Sequence, residues 1–130
     1  MGKRYLLDTN IVIYYLGGTL PDRAHQFLKE ILTEKISISV ISKIELFSWN
    51  SADLPYINKL QLIVSMSDIL PLDEEVVTHA IRIRKQYKKP KLPDAIIAAT
   101  CLAYKYTLIT RNSTDFKNVD SLDFINPFDL

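Results

Sequence analysis

Apolar residues fall along this chain in two rhythms. Short apolar runs at residues 4–7, 36–40, 69–70, 107–110 and 122–125 have the length of strands, and the second is β-branched and alternates with serine. Between them, apolar positions recur three and four apart. In residues 21–32, Ala24, Phe27, Leu28, Ile31 and Leu32 share one helical face, and Pro21 suits that helix's first turn. Ile57, Leu60 and Val64 repeat the spacing in residues 54–64, and Val76, Val77, Ala80, Ile81 and Ile83 repeat it in residues 73–87. Asp73-Glu74-Glu75 sets acids in the first turn of the latter, where they favour the helix dipole. Shorter helices are predicted at residues 11–16, ended by Gly17-Gly18, at 42–49, and at 94–104, opened by Pro93. Strands alternating with helices require crossover connections. The expected fold is therefore α/β, with a mostly parallel sheet of about five strands covered on both faces.

Composition narrows the class. A chain of 130 residues fits one domain, residues 1–130, with 48% hydrophobic and 24% charged residues. Its net charge of +1 advertises no global field for nucleic acid, so any such partner must meet a local cluster. The one cysteine, Cys101, lies in an apolar helical stretch and reads as core packing in a reducing compartment. No apolar stretch is long enough for a membrane span, and Asp8 interrupts the N-terminal one before it resembles a signal peptide, so a cytoplasmic protein is expected. His25 and His79 have no companion at zinc-like spacing. With only three glycines there is no phosphate-cradling glycine loop, and no serine sits in a nucleophile elbow.

Acids recur where strands give way to helices. Asp8 closes Arg4-Tyr5-Leu6-Leu7-Asp8-Thr9-Asn10, Glu45 follows the second run in Ser42-Lys43-Ile44-Glu45-Leu46, and Asp94 opens a helix in Leu92-Pro93-Asp94-Ala95. After the fourth run comes Arg111-Asn112-Ser113-Thr114-Asp115-Phe116. Each has a plain structural reading: Asp8 and Asp94 as helix caps, and Ser42 with Glu45 as a capping box. Together they gather at the carboxyl edge of a parallel sheet, where ligands bind. Capping needs no such convergence. Carboxylates held close repel one another, a divalent cation relieves that, and an all-oxygen set favours magnesium or manganese over zinc.

The ordered set Leu7-Asp8-Thr9-Asn10, Ile44-Glu45-Leu46, Leu92-Pro93-Asp94-Ala95-Ile96-Ile97-Ala98-Ala99 and Leu108-Ile109-Thr110-Arg111-Asn112-Ser113-Thr114-Asp115-Phe116 resembles the signatures of PIN-domain ribonucleases, most of all the VapC-type toxins of toxin–antitoxin pairs. The resemblance implies an α/β/α sandwich, Mg2+- or Mn2+-dependent endoribonuclease activity on an RNA substrate, a homodimer and a cognate antitoxin. Asp8, Glu45 and Asp94 match the family's three central acids. The fourth acid stands either directly after a Thr-x pair or a few residues on; here those positions are Asn112 and Asp115, and Asp115 is the expected acid with Asn112 a neutral partner. Thr9, Asn10 and Thr110 match small polar positions that support the carboxylates or a bound water.

Substrate contacts are expected from Arg84, Lys85, Lys88, Lys89 and Lys91, which lead directly to Asp94, and from Arg111. The cations of that strip also suit a solvated helix C-terminus. Tyr14, Tyr15, Phe47 and Trp49 are candidates for base stacking, or for core and interface, and Ile11 and Ile13 with Phe47 and Trp49 for an apolar groove that takes an antitoxin helix. Competing readings are an RNA-processing or DNA-acting PIN nuclease without antitoxin, and a non-catalytic binding module of the same fold.

Overall fold

A computed structural model describes residues 3–33, 35–48 and 53–130. Among the described residues the sheet has five strands, all parallel: β1 (Tyr5–Leu7), β2 (Ser37–Ser39), β3 (Asp68–Leu70), β4 (Thr107–Ile109) and β5 (Phe124–Ile125), in the order β3-β2-β1-β4-β5. Leu6 of β1 stands opposite Ser37 of β2 and Leu108 of β4. Successive strand side chains point to opposite faces, so one strand serves two cores. Leu6 and Leu108 enter the core shared with Val76, Ile83, Ile97 and Phe116, while Leu7 and Ile109 enter the one shared with Ile11, Leu28, Ile38 and Leu60.

Among the described residues seven helices cover the sheet or end its strands: α1 (Thr9–Gly17), α2 (Asp22–Ile31), α3 (Val40–Ser48), α4 (Leu54–Ser65), α5 (Glu74–Gln86), α6 (Leu92–Tyr104) and α7 (Ser113–Phe116). Asp8 caps α1, which stops where Gly18 turns left-handed at φ 66° and gives its N–H to the Tyr14 and Tyr15 carbonyls. Asp53 and Asp73 cap α4 and α5. Helix α6 is buried from Ala95 to Cys101; its alanines let it lie close against the sheet and α5. Cys101 is 2% exposed, and burial pushes its thiol pKa well up, so it is core. Among the described residues no helix is long and apolar enough to cross a membrane.

Several local expectations change. Pro21 is the residue before α2, not part of its first turn. Val40 belongs to α3, because β2 ends at Ser39, whose own hydroxyl accepts the Ile41 N–H at 3.1 Å. Ser42 is therefore inside the helix and the capping box does not form. Helix α6 starts at Leu92 with Lys91 as its cap residue, so Asp94 sits in the third position and is not the cap. Ile81, expected with the core face of α5, is 52% exposed. Helix α7 and a C-terminal 3-10 turn, Pro127–Asp129, were not predicted: both are too short to show a hydrophobic period. Trp49 lies outside the described residues.

Candidate active site

The chain runs outward from β1 to β2 and β3, then returns to place β4 on the other side of β1. A crevice opens at the carboxyl ends of strands where the direction reverses, and here that point lies between β1 and β4. Asp8 follows β1 directly, Glu45 stands on α3 just after β2, Asp94 is in the first turn of α6, and Asp115 is on α7 after β4.

Two hydroxyl relays hold two of the acids. Asp8, only 5% exposed, accepts the Thr9 N–H at 2.8 Å on Oδ1 and the Thr110 hydroxyl at 2.8 Å on Oδ2. Fully buried Thr110 in turn accepts the Asn112 N–H at 2.9 Å. On the other side, Thr9 Oγ1 lies 2.6 Å from Glu45 Oε1 and 2.9 Å from Ser42 Oγ. Thr9 has one proton to give. The shorter contact to a carboxylate takes it, and Ser42 donates to Thr9. Ser42, fully buried, thus supports Glu45 through Thr9. Sequence reading assigned it to a cap, and nothing in its local spacing distinguishes the two roles. Asn112 Nδ2 donates to Asp115 Oδ2 at 2.9 Å, joining the two candidates for the fourth position as acid and neutral partner.

The acids feel one another. Asp94 is half-buried and, among the described residues, has no hydrogen bond or ion pair to its carboxylate. Burial first, then the charges of Asp8, Glu45 and Asp115, raise its pKa to about 6. For Asp8, burial raises the pKa, the Thr110 and Thr9 bonds pull it back, and the Glu45 charge adds to the rise. Among the described residues no three acids stand at the spacing of a closed metal cage. The arrangement is a group of four acids that share one field. Its donors are oxygen only and its repulsion falls on Asp94, which is the chemistry that fits a hard divalent cation.

The expected cationic strip divides. Lys89 Nζ is 3.7 Å from Asp115 Oδ1, beside the acids. Arg84 and Lys85, in the last turn of α5, instead line a groove of about 430 Å3 with Leu72, Ile81 and Leu92, and Arg84 reaches the Pro90 carbonyl at 3.4 Å. Lys88 and Lys91 are exposed, with no ion pair among the described residues. Arg111 and Asn10 line a separate cleft of about 320 Å3 with Asp8, Tyr14 and Asn112. The Tyr14 ring meets Phe128 edge-on at 5.4 Å and Tyr15 stacks on His25 at 5.3 Å, so each ring has a partner within the chain. Ile11 is fully buried and cannot anchor a partner; Phe47, 45% exposed, can.

The model of the PIN domain family matches residues 5–122. The chain is 30% identical to Ribonuclease VapC2 of Methanocaldococcus jannaschii, covering 95% of this chain and 93% of that protein, and 25% identical to Ribonuclease VapC1 of Haemophilus influenzae, covering 92% and 95%. Among solved structures it is similar to VapBC2 from Rickettsia felis bound to a promoter DNA fragment (25% identity, TM-score 0.80, 94% of this chain and 97% of that one). FitAcB from Neisseria gonorrhoeae is a second such structure, with 28% identity, TM-score 0.78 and 97% and 99% coverage. Family model, relatives and fold agree over nearly the whole length: the chain belongs to the PIN-domain family, on the branch that holds the VapC ribonucleases.

Proposed function

We propose that this protein is a metal-dependent endoribonuclease and the toxin of a toxin–antitoxin pair, acting in the cytoplasm. The observation that carries the reading is the convergence of four acids at one edge of the sheet, where burial first and then the charges of Asp8, Glu45 and Asp115 raise the pKa of Asp94 to about 6. Relatives named as VapC ribonucleases and similar structures named as VapBC complexes support the rest.

Asp8 and Asp94 would hold Mg2+ or Mn2+, with Asp115 completing the set. When bound, such an ion polarises a phosphate oxygen and makes water a stronger acid. Against the effect of burial, Thr110 and Thr9 favour the ionised form of Asp8 and orient it by donating to it. Glu45, exposed and steered by the Thr9 hydroxyl, is placed to accept a proton from the attacking water. Lys89, beside Asp115, offers a positive charge to the RNA backbone, and exposed Lys88 and Lys91 extend it.

An antitoxin helix needs apolar anchors at helical spacing. Ile44 and Phe47 on α3 and Leu54 and Leu62 on α4 are exposed and supply them. An antitoxin arginine among the four acids would compete with metal. The exposed apolar residues Leu72, Ile81 and Leu92 beside α5 and α6 support a homodimer.

Incubation of purified protein with a mixed RNA pool, with either metal or with chelator, tests the reading. Cleavage is expected with metal and not with chelator, and not by Asp8→Asn; equal cleavage by that variant would refute the site.

A further inference from the structure

We propose that the cleft between α1 and the β4–α7 turn seats one nucleotide of the RNA beside the scissile phosphate, with Arg111 holding its phosphate and Asn10 reading its base. This rests on the ribonuclease reading and adds a specificity determinant to it.

Position comes first. Asp8 forms one wall of this cleft, so whatever fills it lies against the acid cluster. At about 320 Å3 the cleft is at the small end of ligand pockets, with room for one nucleotide rather than a duplex. A single-stranded RNA can splay one base into such a space and have its edge read there.

Arg111 is built to meet an anion. Its guanidinium lies 4.2 Å from the Phe128 ring centroid and 5.4 Å from that of Tyr14, and it donates to the Tyr14 hydroxyl at 3.3 Å. Asn126 Nδ2 holds the Arg111 carbonyl at 3.3 Å. The side chain is exposed yet restrained, so little rotamer freedom is left to lose on binding. It shares the cleft with Asp8 but, among the described residues, forms no ion pair with any carboxylate. A planar donor fork, held by two rings and left without an acid, matches a phosphate.

Base discrimination falls on Asn10 by the state of its neighbours. Asn112 spends its amide on Asp115 and its N–H on Thr110. Tyr14 has Phe128 and Arg111 on its ring and Arg111 on its hydroxyl. Asn10, exposed in the first turn of α1, has no side-chain hydrogen bond among the described residues. It brings one donor pair and one acceptor, the combination that reads a base edge.

The test sequences fragment ends from a randomised RNA pool cut by the wild type, Asn10→Ala, Asn10→Asp, Arg111→Ala and Arg111→Lys, with steady-state kinetics and melting curves on each. The wild type is expected to prefer a nucleotide at one position next to the cut. Asn10→Ala should lower that preference by roughly tenfold at that position alone, and Asn10→Asp should change which base is preferred. Arg111→Ala should raise KM about tenfold with kcat changed much less, and Arg111→Lys should recover part of it. A flat wild-type profile, or an Asn10→Ala profile identical to wild type, would overturn the subsite while leaving the ribonuclease standing. So would an Arg111→Ala protein that melts lower yet keeps its KM, since that marks the arginine as support for Tyr14 and Phe128 only. Wild-type protein that cuts no RNA with either metal removes the ribonuclease reading and the subsite together.

Discussion

Burial first, and then the charges of Asp8, Glu45 and Asp115, disfavour the Asp94 carboxylate, and its titration sets a measurable pH dependence. It titrates near 6 when folded and near 3.8 otherwise, so between these values the folded state binds more protons. Stability of the metal-free protein therefore falls as pH rises through this window and stays lower above it. The group is half-buried, so after solvent screening the cost at neutral pH is about 1 kcal/mol. Asp94→Asn in chelator at pH 7.5 should raise Tm by roughly 3–5 °C, and the gap should close by about pH 4. The same variant should lose RNA cleavage; a Tm unchanged at both pH values would show that neither burial nor its neighbours' charges disfavour the Asp94 carboxylate. Thr110→Val tests the relay beneath Asp8. It leaves the Asn112 N–H and Asp8 Oδ2 short of a partner, at about 1–3 kcal/mol by urea unfolding, with activity lost, whereas Thr110→Ser should restore both. The four acids stood out in the sequence because their residue type and place recur. Ser42 did not: a serine three residues before a glutamate reads as a cap until the strand's end is known.

At the element scale, α7 shows how a short helix positions chemistry. Its four residues carry Asp115, and Phe116, fully buried under the sheet, fastens them to the core. Phe116→Ala should cost about 3–5 kcal/mol in denaturant unfolding, enough to threaten the fold. Phe116→Leu should remain folded but cleave RNA less well, by loosening Asp115; equal activity would show that α7 need not be held so closely. Helix α1 depends on its stop. An alanine at Gly18 meets no atom within 4 Å, so its only penalty is the left-handed backbone, about 1 kcal/mol, seen as a lower Tm with activity retained. The long amphipathic helices α2, α4 and α5 were legible because their period repeats over several turns. Helix α7 was not, since four residues show no period, and the start of α3 was misplaced because β-branched Val40 favours a strand over a helix by its own propensity.

For the molecule as a whole, metal should act as a ligand of the native state alone. Manganese at about a hundred times its dissociation constant should stabilise the protein by about 2.7 kcal/mol, and Asp8→Asn or Asp94→Asn should shrink that rise. A wild-type Tm indifferent to both metals would argue against the proposed function at its root. The chain by itself determined the alternation of strands and helices, hence the parallel α/β sheet, and the identity of the acids at its edge. Both are local properties, carried by spacings of two to four residues and by residue type. Tertiary structure alone decided what each acid touches. Thr110 reaches Asp8 across 102 positions and Thr9 reaches Glu45 across 36, contacts fixed by strand register and helix docking. It also turned Arg84 and Lys85 toward an apolar groove and set Arg111 on Phe128, because the face a side chain presents depends on which element packs beside it.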